Sequence, residues 1–183
     1  FTARNYWSPT QKLLGTVLPN TPPGTPVTTN FYDVRDWLVR SLDPLQSAVG
    51  YANDPAGRLI AATDPLLRTT RFGYDLDGRR LTATNAALEV TRQQWTARGE
   101  LALLTDGAQH AVGRGYDAAG SQVLLTNRNG KVWQFRFDAA NRLANTITPL
   151  GRETQVTYEG RGLVSTVREP SGQRVTNYYD ARG

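Results

Sequence analysis

The chain has 183 residues, with 17 Gly, 10 Pro, no Cys and no Met, and a formal charge of +5 at pH 7. Lacking Cys, it can hold no disulfide and no thiolate metal site, and no apolar run approaches the ~18 residues of a membrane-spanning helix. A hydrophobic share of 39% is too high for a disordered chain, and the many Gly and Pro residues punctuate short apolar runs, as in an all-β protein rich in turns.

In chain order, the first thirty residues stand apart. Thr21-Pro22-Pro23-Gly24-Thr25-Pro26 is a Pro-rich segment that has no place in a central strand. The domain reading is therefore an N-terminal segment, 1–30, followed by a repeat array, 31–183. From Tyr32 a step of 21 residues reaches Asn53, Tyr74, Trp95, Tyr116, Phe137, Tyr158 and Tyr179. All but Asn53 are aromatic in a chain that is 9% aromatic, so the period is not chance. One step back from Tyr32 falls on Gln11, the expected place of a degenerate repeat whose aromatic is lost.

Flanking residues keep the same register. One residue after each anchor come Asp33, Asp54, Asp75, Thr96, Asp117, Asp138, Glu159 and Asp180; four after come Asp36, Gly57, Gly78, Gly99, Gly120, Asn141, Gly162 and Gly183. A second punctuation point follows: Asp43, Asp64, Asn85, Asp106, Asn127, Thr148 and Glu169, in four repeats succeeded by Pro44, Pro65, Pro149 and Pro170. Asp and Asn side chains bond the backbone two residues on, Pro presets φ at the first central turn position, and Gly accepts positive φ. Two turns per repeat leave two strands of about five to seven residues. The array thus reads as seven full β-hairpin repeats and the start of an eighth, with neighbouring hairpins paired edge to edge. Phe1 and Gly183, the latter in mid-motif, read as the limits of a piece of a longer polypeptide.

Alternation along the second strand places Thr70, Phe72 and Tyr74 on one face, and sets Trp133, Phe135 and Phe137 opposite Val132, Gln134 and Arg136. The anchors form a row along one face, broken at Asn53, where a weak point is expected. The mixed face carrying Arg71, Arg92, Gln134 and Gln155 suits either an inner lining or solvent.

The motifs Tyr74-Asp75-Leu76-Asp77-Gly78-Arg79-Arg80-Leu81, Asn53-Asp54-Pro55-Ala56-Gly57-Arg58-Leu59 and Phe137-Asp138-Ala139-Ala140-Asn141-Arg142-Leu143 resemble the core of YD repeats. Thr63-Asp64-Pro65 and Thr148-Pro149-Leu150-Gly151 are similar to its second half. Such repeats belong to Rhs and Wap-type polymorphic toxins, the C component of Tc toxins, and teneurins. The resemblance implies an all-β fold in which a spiralling sheet of hairpins forms part of a hollow β-cocoon shell around a C-terminal toxin domain. It also implies a secreted or injected bacterial protein. Its partners would be the remainder of the shell, the enclosed toxin, and secretion-machinery or chaperone proteins. The family's autoproteolytic segment has no counterpart: Asp43-Pro44-Leu45 and Asp64-Pro65-Leu66 lack the following Gly. A binding or adhesion module, presenting its aromatic row to carbohydrate or protein, is the alternative.

Nothing in the residues calls for catalysis or a cofactor. His110 is the sole histidine and falls in a turn, so no histidine-based metal site or nucleophilic triad is expected. The aspartates recur as turn formers before they are paired carboxylates, although stacked turn aspartates are a conceivable calcium site. Lys12 and Lys131 are the only lysines, and the arginines are spread along the array without a basic patch, which argues against a nucleic-acid partner. Arg58, Arg79 and Arg142, each five after an anchor, are expected to reach the acidic turn of a neighbouring repeat.

Overall fold

The computed structural model describes residues 4–17 and 28–180. Every regular element among them is a β-strand. The Pro-rich segment, 21–26, lies outside the described residues.

The chain divides into two units, 1–91 and 92–183. The first contains β1 (Arg4–Trp7), β2 (Leu13–Val17), β3 (Thr28–Tyr32), β4 (Leu38–Leu42), β5 (Ala48–Asn53), β6 (Leu59–Thr63), β7 (Thr69–Tyr74) and β8 (Arg80–Thr84). The boundary falls within β9 (Val90–Trp95). The second unit continues with β10 (Leu101–Thr105), β11 (Ala111–Tyr116), β12 (Gln122–Thr126), β13 (Val132–Phe137), β14 (Leu143–Ile147), β15 (Glu153–Tyr158), β16 (Val164–Arg168) and β17 (Arg174–Thr176). In each unit consecutive strands pair antiparallel, as in Arg71↔Thr84 of β7 and β8 or Gln134↔Ile147 of β13 and β14. Strands of five or six residues match the spacing of turn residues in the sequence.

Both turns of a repeat have one geometry. At the first, the Gly57 N–H donates to the Asp54 carbonyl at 2.9 Å and the Asp54 N–H to the Arg58 carbonyl at 2.9 Å. At the second, Leu67 N–H reaches the Asp64 carbonyl at 2.9 Å and Asp64 N–H the Arg68 carbonyl at 3.0 Å. This is a tight turn closed by a left-handed residue. The ladder shifts register beside each first turn, between Gly73 and Tyr74 for example, so the anchor occupies a β-bulge.

The left-handed residue of the first turn is usually Gly, with Gly57 and Gly78 at φ 81°. The second turn departs from the expected Pro-x-Gly pattern: Gln46, Leu67, Leu88 and Gln109 take φ of 61–66°, and Gly appears there only from Gly130 onward. The Asp or Asn at the head of these turns organises the backbone without Gly. Oδ1 of Asp64 accepts the N–H groups of Leu66 and Arg68 at 2.9 and 3.0 Å, leaving the fourth residue to take up the positive φ.

Residues 4–17 form a hairpin with that same turn, built on Ser8, whose N–H donates to the Lys12 carbonyl at 2.8 Å. The residue in the anchor position is Trp7, paired with Leu13 as Tyr32 is with Leu38. Trp7 precedes Tyr32 by 25 residues, four more than the period, and Gln11 is instead the left-handed turn residue at φ 61°. The aromatic of this repeat is shifted, not lost.

Registered partners share a face. In unit 1 Tyr51 pairs with Ala62 and Phe72 with Ala83; in unit 2 Trp133 pairs with Leu125 and Phe135 with Thr146. These larger side chains are half-buried, while Arg71, Arg92, Gln134, Arg136 and Gln155 on the opposite face are exposed. Among the described residues no apolar side chain is fully buried. Each unit is thus a sheet without a second layer, held by its ladder and by whatever joins one repeat to the next.

Candidate functional site

The joints between repeats lie at the first turns. The Asp54 carboxylate divides its work: Oδ1 accepts the N–H groups of Ala56 and Arg58 at 2.9 and 3.0 Å, and Oδ2 accepts Arg58 Nε and Nη2, both at 2.7 Å. Arg58 then extends Nη1 to the Asp75 carbonyl in the next repeat at 2.9 Å. Its guanidinium carbon sits 5.1 Å from the ring centre of Tyr74. One arginine therefore braces its own turn, donates to the following turn, and covers the next anchor, all through a planar fork that lysine lacks.

The anchor answers in the opposite direction. Tyr74 Oη donates to the Leu59 carbonyl, 15 residues earlier, at 2.8 Å. Tyr116 to Leu101, Tyr158 to Leu143 and Tyr179 to Val164 repeat the bond at 3.0, 2.8 and 2.8 Å. Tyr32 reaches Leu13 at 3.0 Å, 19 residues back, which independently records the four-residue offset of the first repeat. The hydroxyl matters because the bulge leaves this carbonyl out of the regular ladder.

Asp33, Asp117 and Asp138 cap their turns as Asp54 does, and Arg142 repeats the fork on Asp138 while lying 4.4 Å from the centre of Tyr158. Asp75 is gripped by Arg79 at 2.7 Å. Arg58, Arg79 and Arg142 thus pair with the acid of their own turn; the contact with the neighbouring turn, seen for Arg58, is to backbone. The expectation that they bond a neighbour's acidic group fails because four residues along the same turn already bring the partner within reach. Thr96, which replaces the turn acid after Trp95, bonds the Glu100 carboxylate, and Arg98 there donates to the carbonyls of Asp117 and Ala118. Near the array's end Arg161 Nη1 donates to the Asp180 carbonyl at 2.8 Å. Phe137 carries no hydroxyl for this bond. Gly99, Gly120 and Gly162 hold the left-handed turn position at φ 87–88°.

At Asn53 the joint is rebuilt. Asn53 Nδ2 reaches the Leu38 carbonyl at 3.4 Å, a long bond in the place of the tyrosine's. Trp37, where later repeats carry Arg58 and Arg142, lays its ring against Gly57 and is itself covered by Arg35 at 5.1 Å. The aromatic missing from the anchor is supplied by the preceding turn.

These contacts shift several carboxyl groups. Asp54 is held below the ordinary aspartate value first by the N–H of Arg58 and then by its guanidinium, against a desolvation that pushes upward. Asp64 and Asp138 are lowered chiefly by the side chains of Arg68 and Arg142. In Asp75 desolvation is the largest influence and raises the value, but the Arg79 bonds together outweigh it. Asp106 is lowered by the N–H of His110, with desolvation opposing and the His110 and Arg128 charges assisting.

The second-turn edge is differently built. Arg68 forks onto Asp64 at 2.6–2.7 Å in a more exposed setting. Leu45, Leu66, Leu67 and Leu88 project here at 70–86% exposure. Open grooves separate successive second turns, one of about 560 Å³ lined by Val39, Leu45, Pro65 and Leu67. His110 lies exposed on this edge, Nδ1 3.4 Å from the Asp106 carboxylate. No group of three or more potential metal ligands occurs among the described residues, and no helix there is long and apolar enough to cross a membrane.

A ribbon of identical hairpins, joined by arginine and tyrosine at one edge, defines a tandem β-hairpin repeat protein. The RHS Repeat family model matches residues 54–88 and 116–153. The chain is a YD/Rhs-repeat protein. Its fold is similar to that in the crystal structure of TcdB2–TccC3–Cdc42 and in that of TcdB2–TccC3 without the hypervariable C-terminal region. Each aligns with a TM-score of 0.68 and 15% identity over 91% of this chain. The chain spans about 10% of the length of either of those chains. No curated protein matches it in sequence.

Proposed function

We propose that this chain is a stretch of wall in an Rhs-type shell, part of a hollow β-cocoon that encloses a C-terminal toxin domain for delivery by a bacterium. The observation that carries the reading is a sheet with no fully buried apolar side chain among its described residues and with a repeated joint between hairpins. Such a ribbon provides surface rather than interior, as a wall does. The structural likeness to TcdB2–TccC3 supports the fold of such a wall, and the C-terminal region removed from one of those structures suggests where a cargo would lie.

On this reading the chain performs no catalysis. The carboxylates a reaction would need are engaged in turn capping, and His110 sits exposed at a turn beside Asp106. Its partners are the rest of the shell, the enclosed toxin domain, and secretion or chaperone proteins, and it acts after export from the producing bacterium.

Limited proteolysis of the full-length polypeptide, native and denatured, tests the proposal by mass spectrometry. A C-terminal segment that survives protease in the native sample and is digested only after the shell unfolds supports enclosure. Equal cleavage in both samples refutes it and leaves the sheet as a binding surface for protein or carbohydrate.

A further inference from the structure

Arg114 is out of place. It lies in β11, two residues before the anchor Tyr116, where other repeats carry Tyr51, Phe72, Phe135 and Val156. Its registered partner is Leu125, which in turn pairs with Trp133, so the guanidinium belongs to the aromatic face of unit 2. The residue is half-buried, its Nη1 is buried, and its side chain makes no hydrogen bond, ion pair or ring contact among the described residues. The other described arginines either have a partner, as Arg58 and Arg142 do, or are exposed, as Arg136 is.

A guanidinium stays charged under all ordinary conditions. Removing one of its N–H groups from water without an acceptor is unfavourable, and an aromatic or aliphatic residue suits the position better. The chain therefore holds, on an apolar face, a cation with unspent donor capacity.

We propose that Arg114 is the recognition point for a carboxylate that a protein partner presents within an apolar stretch laid over this face. Charge and surroundings select the occupant. One arginine balances a monoanion, and Leu125, Val112 and Trp133 offer dispersion contacts to side chains flanking the acid but nothing to a strongly hydrated phosphate dianion. The assignment rests on the position of Arg114 in unit 2 and is independent of whether the chain encloses a toxin.

The test uses the full chain, with the arginine Nε–H signals observed by NMR. Phenylbutyrate, a carboxylate with an apolar tail, is titrated in parallel with inorganic phosphate. The Arg114 signal should move saturably with phenylbutyrate and far more than that of Arg136, on the opposite face. Arg114→Gln should abolish the saturable response. Arg114→Leu should raise Tm by about 2–4 °C, because it removes an unpaired cation from an apolar setting. Three results would overturn the proposal: an Arg114 signal that responds no more than Arg136, an equal response to phosphate, or a lower Tm for Arg114→Leu.

Discussion

The ring of Trp37 packs over Gly57 so closely that a Cβ at residue 57 would lie 3.2 Å from it. Neighbouring Asn53 stands where other repeats have an aromatic ring, and the two departures from the repeat form one exchange. Restoring Tyr at residue 53 alone should bring little or no gain, since Trp37 already covers this joint. Asn53→Tyr combined with Trp37→Arg should be more stable than the sum of the single changes by about 0.5–3 kcal/mol, the range for directly coupled positions. Denaturant unfolding of the four proteins closes the cycle; additivity would mean that the sites do not compensate.

The tyrosine bond to the bulge carbonyl can be removed without touching the ring. Tyr74→Phe should cost about 0.5–1.5 kcal/mol, the net value of one such bond, while leaving the strand pairing intact. Equilibrium denaturation measures the loss. Phe137 marks a position where the array already does without the hydroxyl, so Phe137→Tyr should stabilise if the Gln122 carbonyl, 15 residues back, takes up the new donor.

Arg58 and Arg68 make the same fork on their own turns, but Arg58 alone also donates to the next repeat's Asp75 carbonyl. Arg58→Ala should therefore lower Tm more than Arg68→Ala, and Arg58→Lys should not restore it, because an ammonium cannot span the two turns in one plane. Equal losses would show that the inter-repeat bond carries no stability.

Leu67 and Leu88 hold left-handed backbone at φ 61° and 63° with side chains 84% and 75% exposed. Burial within the chain does not offset that conformation, which costs an L-residue roughly 1–2 kcal/mol. Leu67→Gly should stabilise the chain by about 0.5–1 kcal/mol after the greater freedom of unfolded glycine is counted. A loss in urea melts would mean that Leu67 makes a compensating contact.

Acid should loosen the turns. Asp54, Asp64, Asp75, Asp106 and Asp138 all titrate below the ordinary aspartate value in the folded chain. A carboxyl with a depressed folded value contributes stability fully above the unfolded value, about 3.9, and loses it as pH falls through the lower folded value. Thermal melts should accordingly be flat from neutral pH down to about pH 5 and fall steeply below pH 4. Asp54→Asn should shallow that descent, since the amide still caps the turn but no longer titrates. Millimolar calcium should leave Tm unchanged, because the turn carboxylates already spend their oxygens on backbone N–H groups and arginine.

The period, both turns and the strand lengths were legible in the sequence because each depends on local chemistry: Asx capping, positive φ at Gly57 or Gly78, and apolar alternation. Trp7 escaped because four additional residues shift it out of a strict 21-residue step, and periodicity alone cannot distinguish a lost anchor from a displaced one. The second turn was misjudged for a related reason. Its heads, Asp43, Asp64 and Asn85, organise the backbone strongly enough that Gln46, Leu67 and Leu88 replace the expected glycine. The joints were hidden altogether: no spacing rule reveals that Arg58 reaches a carbonyl 17 residues away, or that Trp37 substitutes for the ring absent at residue 53.

Because each described strand pair joins consecutive strands, a hairpin in such a sheet depends on its immediate predecessors and successors rather than on distant parts of the chain. Polypeptides with this connectivity can be dismantled from a free end in short, equal steps. Pulled through a narrow channel, the ribbon would yield about one hairpin at a time against a modest and nearly constant resistance. A globule with a central core would instead resist as a whole and then collapse. The same connectivity lets emerging chain add to what has already formed, so a very long wall needs no more cooperative folding than a short one.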